Sequence, residues 1–151
     1  MKYCGTLITV ADMQKAKDFY ARIMEQKIFM ELDIHTAFEG GLSLQTNYAE
    51  FIEVNLEPKV KPDNFELYFE VEDIGAWETK LNAIDGIEFL HAIKEYPWGQ
   101  LVFRFYDFDR YIVEVGESMV SVAKRFLAQG LSIEETAART MFPVEVIKQF
   151  M

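Results

Sequence analysis

The chain has 151 residues, half of them apolar, with a net charge of −10 and one cysteine, Cys4. So acidic a chain does not suit nonspecific binding to nucleic acid or an anionic membrane, which both call for a positive field, and a lone cysteine excludes an intramolecular disulfide framework. No apolar run approaches the roughly 18 residues of a membrane span, and no basic-then-apolar leader opens the chain, so a cytoplasmic protein is expected.

Tyr3 to Val10 alternates like a strand, with Thr6, Ile8 and Val10 on one face and Gly5, Leu7 and Thr9 on the other. Cys4 is expected inside it as inert core. Asp12 is placed to cap a helix over Met13 to Met24, whose apolar stripe is Ala16, Phe19, Tyr20 and Ile23. Three short strands follow at Ile28 to Leu32, His35 to Phe38 and Leu42 to Thr46, with Gly40-Gly41 as a turn. Phe51 to Val54 reads as an added edge strand. The stretch Glu57 to Asn64, rich in proline and charge, reads as a connector.

After the connector the pattern restarts. Phe65 to Val71 is a strand, Asp73 repeats the position of Asp12, and Trp77, Leu81 and Ile84 mark a second helix ended by Gly86. Strands are expected at Ile87 to Ile93, Leu101 to Tyr106 and Tyr111 to Val115. The chain thus repeats βαβββ at a shift of about sixty residues, in pattern more than in identity. Beyond it, Val120, Ala123, Phe126 and Leu127 form a helical stripe, Ser132 with Glu135 makes a capping box, and Pro143 opens a third helix. This tail has the outline of a helix-turn-helix half, but Lys124, Arg125, Arg139 and Lys148 against Glu134, Glu135 and Glu145 leave only one surplus positive charge. Packing against the sheet or a second subunit is the better expectation, and DNA binding is not expected.

The run from Pro97-Trp98-Gly99 through Arg104-Phe105-Tyr106-Asp107-Phe108-Asp109-Arg110 to the strand containing Glu114 resembles the last hairpin of the glyoxalase/bleomycin-resistance/extradiol-dioxygenase superfamily, the vicinal oxygen chelate fold. Phe108, Arg110 and Tyr111 stand where the family pattern has Pro, Gly and often His. The resemblance covers roughly Met1 to Glu117. It implies an α+β fold of two βαβββ modules, 1–56 and 64–117, whose mixed sheets curve into a cup, with residues 118–151 as a helical C-terminal extension.

In metal-dependent members, one residue from the first and one from the last strand of each module binds a divalent cation. Those positions fall on Gly5, on Ser43 (or Gln45 if the register slips by two), on Glu66 and on Glu114. Glycine offers no ligand, so at most Glu66 and Glu114 with one weak neutral donor converge, fewer than a metal site needs, and no tightly bound metal is expected. His35 and His91 lie off these positions. If the alternation holds, Leu7, Thr9, Glu66, Tyr68, Glu70, Arg104, Ile112 and Glu114 line the cup, with Phe103, Phe105 and Trp98 doing so in another register. Trp98 is placed to stack on a ligand.

The leading reading is a metal-independent member that binds a small organic molecule through Glu66, Tyr68, Trp98, Arg104 and Glu114, an acidic cup suiting a cationic ligand. The alternatives are a metal-dependent lyase, isomerase or dioxygenase using Glu66 and Glu114, and a ligand-responsive DNA-binding or scaffold protein acting through the tail. A homodimer is expected.

Overall fold

A computed structural model describes residues 1–57 and 59–150. Pro58, in the expected connector, and Met151, at the end of the expected tail, lie outside the described residues. The chain divides into two compact units, one ending at Val60 and the other beginning at Lys61.

The first unit runs β1 (Thr6–Thr9), α1 (Met13–Lys17), β2 (Ile28–Glu31), β3 (His35–Phe38), β4 (Leu42–Gln45) and α2 (Tyr48–Phe51). The sheet order is β1-β4-β3-β2, with β1 parallel to β4 and the other pairs antiparallel. Asp12 caps α1 as expected, its Oδ1 accepting the Lys15 N–H at 3.0 Å. The expected helix does not stay α throughout. From Asp18 to Ile23 it widens into a π-helical segment, and the Met24 N–H reaches back five residues to the Phe19 carbonyl at 2.9 Å. Phe19, Tyr20 and Met24 are all buried there, as are Ile8, Val10, Ala16, Phe38 and Leu44 elsewhere in this unit.

Three expectations fail in this unit. The strand begins at Thr6 instead of Tyr3, because Gly5 adopts φ +147 and the Thr6 N–H then bonds the Gly41 carbonyl at 2.8 Å. Cys4, outside the strand, is exposed rather than buried. Phe51 ends the short helix α2 instead of opening an edge strand, since Asn47 and Glu53 take left-handed conformations on either side and the Phe51 N–H bonds the Asn47 carbonyl.

The second unit runs β5 (Glu66–Val71), α3 (Ile74–Asn82), β6 (Glu88–Glu95), β7 (Leu101–Tyr106) and β8 (Ile112–Glu117), then α4 (Met119–Ala128), α5 (Ile133–Thr140) and α6 (Val144–Lys148). Its sheet order is β5-β8-β7-β6, with β5 parallel to β8. The repeat seen in the sequence is therefore one of topology: each mixed sheet joins its first strand in parallel to its last. Asp73 repeats the cap of Asp12, accepting the Ala76 N–H at 2.9 Å. Phe89, Phe103 and Phe105 cluster within about 6 Å of one another, and Val113, Val115 and Leu81 are fully buried. Phe103 and Phe105 are thus core, not ligand-facing. In the turn after β7, Asp107 Oδ1 accepts the N–H groups of Asp109 and Tyr111, while Arg110 holds φ +71 where glycine would be expected.

The tail forms a core of its own around Ala123, Ala137 and Ile147, packed by Leu127, Phe142 and Phe150. Its capping box closes reciprocally between Ser132 and Glu135. In α4 the buried face is Val122, Ala123 and Phe126; Val120, expected in the stripe, is exposed.

Candidate functional site

Strand register in the second unit sets four side chains in a row across the sheet: Tyr68 on β5 pairs with Glu114 on β8, Glu114 with Arg104 on β7, and Arg104 with His91 on β6. Irregular pairing between Phe89 and His91, and again before Lys94, brings His91 and Lys94 opposite Arg104 and Val102. Glu66 lies two residues before Tyr68, on the same face.

Arg104 holds this row together. Its Nε donates to Glu66 Oε2 at 2.8 Å, and its Nη2 lies against Glu114 Oε2. The third nitrogen, Nη1, donates to the Tyr96 hydroxyl at 2.5 Å and lies 3.3 Å from His91 Nε2. Two carboxylates on one face repel unless a cation stands between them, and here the guanidinium is that cation. Glu114 is 8% exposed, so this pair sits where water screens poorly.

A second chain of contacts continues from Tyr96. Its ring lies 4.9 Å from that of Trp98, whose Nε1 donates to Gln100 Oε1 at 2.9 Å. Gln100 Nε2 donates to the Tyr68 hydroxyl at 2.9 Å, and Tyr68 in turn donates to Glu70 Oε1 at 2.8 Å. Glu66, Tyr68, Trp98, Arg104 and Glu114 therefore belong to one connected network. Burial, then the bond to the Glu70 carboxylate, holds the Tyr68 phenol above its ordinary pKa. Tyr96 is shifted the other way: burial works to raise it, but hydrogen bonds from Lys94 and Arg104 and their positive charges outweigh that.

Sequence reasoning set His91 aside and did not single out Tyr96 or Gln100. The signal available was the turn itself, since Tyr96 and Gln100 flank Pro97-Trp98-Gly99. His91 was hidden by the irregular pairing, which breaks simple alternation. Expected to line the cup, Thr9 pairs with Gln45 in the first sheet, and Gln45 Oε1 meets His35 Nδ1 at 3.0 Å. Leu7 pairs with Ser43, which faces Ala37.

The residues at the family's metal positions do not fit a divalent cation. A Cβ at Gly5 would stand 2.0 Å from the Gly41 carbonyl oxygen, so that position can carry no ligand side chain without moving backbone. Glu66 and Glu114 are both committed to Arg104. Among the described residues, no group of three or more His, Cys, Asp or Glu side chains is arranged to hold a metal ion.

The profile of the glyoxalase-like domain matches residues 3–120. The chain belongs to this family. A solved protein of unknown function from Agrobacterium tumefaciens str. C58 is similar at 30% identity, over 78% of this chain and 94% of that one, with a TM-score of 0.70. Two others share the glyoxalase-like fold: a lactoylglutathione lyase from Agrobacterium tumefaciens (21% identity, 78% and 93% covered, TM-score 0.58) and a glyoxalase-related enzyme from Fulvimarina pelagi (19% identity, 79% and 89% covered, TM-score 0.64). No curated protein matches the chain. Among the described residues of this glyoxalase-like protein, no helix is long and apolar enough to cross a membrane.

Proposed function

We propose that this glyoxalase-like protein binds a small organic molecule on the polar face of its second sheet, through Glu66, Tyr68, Trp98, Arg104 and Glu114, without a tightly bound metal. The observation that carries this reading is the Arg104 guanidinium between Glu66 and Glu114, supplying within the chain the positive charge that metal-dependent relatives take from a cation. Tyr68 and Trp98 add aromatic rings, and Glu66, Glu70 and Glu114 against Arg104 and Lys94 leave one surplus negative charge. That balance favours an aromatic ligand bearing a positive group. Residues 1–117 act in this reading as the recognition domain, with 118–151 as an extension.

A cytoplasmic homodimer belongs to the same reading. The support for the dimer is edge strand β2, all four of whose residues are exposed, Phe29 by 75%.

The test is metal content and stability. Purified protein dialysed against Ni, Zn, Mn or Fe is expected to hold well under one metal per chain and to show no rise in melting temperature, whereas a tight ligand would stabilise by mass action. One equivalent of metal, lost in both Glu66→Gln and Glu114→Gln, would overturn the reading in favour of the metal-dependent lyase or isomerase.

A further inference from the structure

The family profile stops at residue 120, yet α4 is built into the turn that carries Trp98. Gly99 holds φ +87, and a Cβ there would meet the Phe126 ring at 2.2 and 2.5 Å, so turn backbone lies directly on the ring. Beside it, Arg125 Nη2 donates to the Gly99 carbonyl at 2.6 Å and to Glu117 Oε2 at 2.7 Å, while its Nε donates to Glu117 Oε1 at 3.1 Å. One guanidinium thus ties the turn to the end of β8 with a bidentate grip.

Gln100 carries the placement onward. Its amide is buried, 6% exposed, and its hydrogen bonds join three elements: the oxygen accepts from Trp98, and the nitrogen donates to the Glu117 carbonyl and to the Tyr68 hydroxyl, each at 2.9 Å. Such an amide has one orientation that satisfies all three partners. Gly116 keeps the space open, because a Cβ there would come within 2.8 Å of Gln100 Nε2 and 3.1 Å of the Tyr68 ring.

We propose that α4 is a working part of the recognition site: Arg125 and Phe126 fix the Pro97-Trp98-Gly99 turn, and Gln100 passes that placement to Trp98 and Tyr68. Arg125 and Gln100 are positioning residues in this scheme, which rests on the second-sheet face being the recognition surface. A ring held in place before the ligand arrives does not have to be ordered on binding, which favours affinity.

The test reads Trp98 itself. The chain has two tryptophans, Trp77 and Trp98, so two indole N–H signals appear in a nitrogen-15 spectrum, and Trp98→Phe assigns them. Arg125→Ala is expected to speed solvent exchange of the Trp98 indole by about tenfold, the size set by a lost hydrogen bond to a charged group, and to leave Trp77 unchanged. Ile147→Val, in the separate core of the tail, is expected to lower stability without moving the Trp98 exchange rate. No change in Arg125→Ala, or equal changes in the two variants, overturns the proposal. Should Arg125→Ala fail to fold, Arg125→Lys keeps the charge but loses the planar fork, and carries the same expectation in direction. The measurement needs no ligand or metal, so a metal found on Glu66 and Glu114 would defeat the recognition reading and leave this result standing.

Discussion

The two sheets share strand order and register but differ where it matters for chemistry. Leu7, Ser43 and Ala37 form a row across the first sheet, and the row that corresponds to it in the second is Tyr68, Glu114 and Arg104. The position of Glu66 is held in the first by Gly5, whose missing side chain makes room for the Gly41 carbonyl. One repeat has thus used these positions for close backbone packing and the other for a charged network. The topology requires neither choice, so the chemistry of a βαβββ module resides in a few side chains on an unchanged frame.

The contrast breaks most sharply at glycine. Gly5→Ala forces a Cβ into backbone at an unfavourable φ, and is expected to cost about 4 kcal/mol or to prevent folding of the first unit. Gly116→Ala in the second sheet meets the ends of side chains instead, which can give way, and is expected to cost about 1 to 2 kcal/mol while displacing Gln100. Urea unfolding of both variants checks the order; a larger loss at Gly116 would mean that the Gly5 contact relaxes easily.

Next in size is the charged row. Arg104→Met leaves the buried Glu114 without its cation, and a loss of about 3 kcal/mol is expected, mostly from Glu114, since half-exposed Glu66 is screened by water. Ser43→Ala, at the matching place in the first sheet, is expected to stay within about 0.5 kcal/mol. The same change sharpens the metal question. With the guanidinium gone, Mn or Zn should raise the melting temperature of Arg104→Met but not that of the parent protein. If divalent cations stabilise neither, the two carboxylates do not converge well enough to share any cation.

Much of this frame was legible in the sequence, because it rests on local signals. Asp12 and Asp73 cap their helices, and His35 to Phe38 and Leu101 to Tyr106 hold their expected bounds. Gly5 and Glu66 could be matched as equivalent positions in the repeat, since each lies five residues before a valine, Val10 or Val71, in the restarted pattern. What stayed hidden depends on contacts distant in the chain. The irregular pairing of β6 turns His91 toward Arg104, Tyr96 reaches the same guanidinium, and Gln100 bonds Tyr68 across 32 positions. Alternation assigns a side chain to a face but does not say which partner it will reach there.

The smallest expected effect is the most specific to the second sheet, because it concerns two phenols of the charged network, Tyr96 and Tyr68, and the first sheet has Leu7 where Tyr68 stands. Tyr96 ionises more easily in the folded chain than in the unfolded one, since Lys94 and Arg104 favour the phenolate more than burial opposes it. Between its folded value and the ordinary tyrosine value, the unfolded chain holds more of this proton, so its contribution to stability grows as pH rises through that window and is lost as pH falls back through it. Tyr68 runs in the opposite sense. Burial and Glu70 hold its proton, so its contribution is complete below the ordinary value and is lost as pH climbs from there through the raised folded value. Alkaline titration followed by tyrosinate absorbance should therefore show an early component missing from Tyr96→Phe and late absorbance reduced in Tyr68→Phe, the remainder belonging to Tyr106, which its bond to Asp63 also holds above the ordinary value. Replacing Lys94 with Met should move the early component toward the ordinary value without touching the late one, because Lys94 acts on Tyr96 alone of the pair. An early component that survives in Tyr96→Phe would show that Arg104 and Lys94 do not converge on that hydroxyl in solution, and that the charged row ends at Arg104.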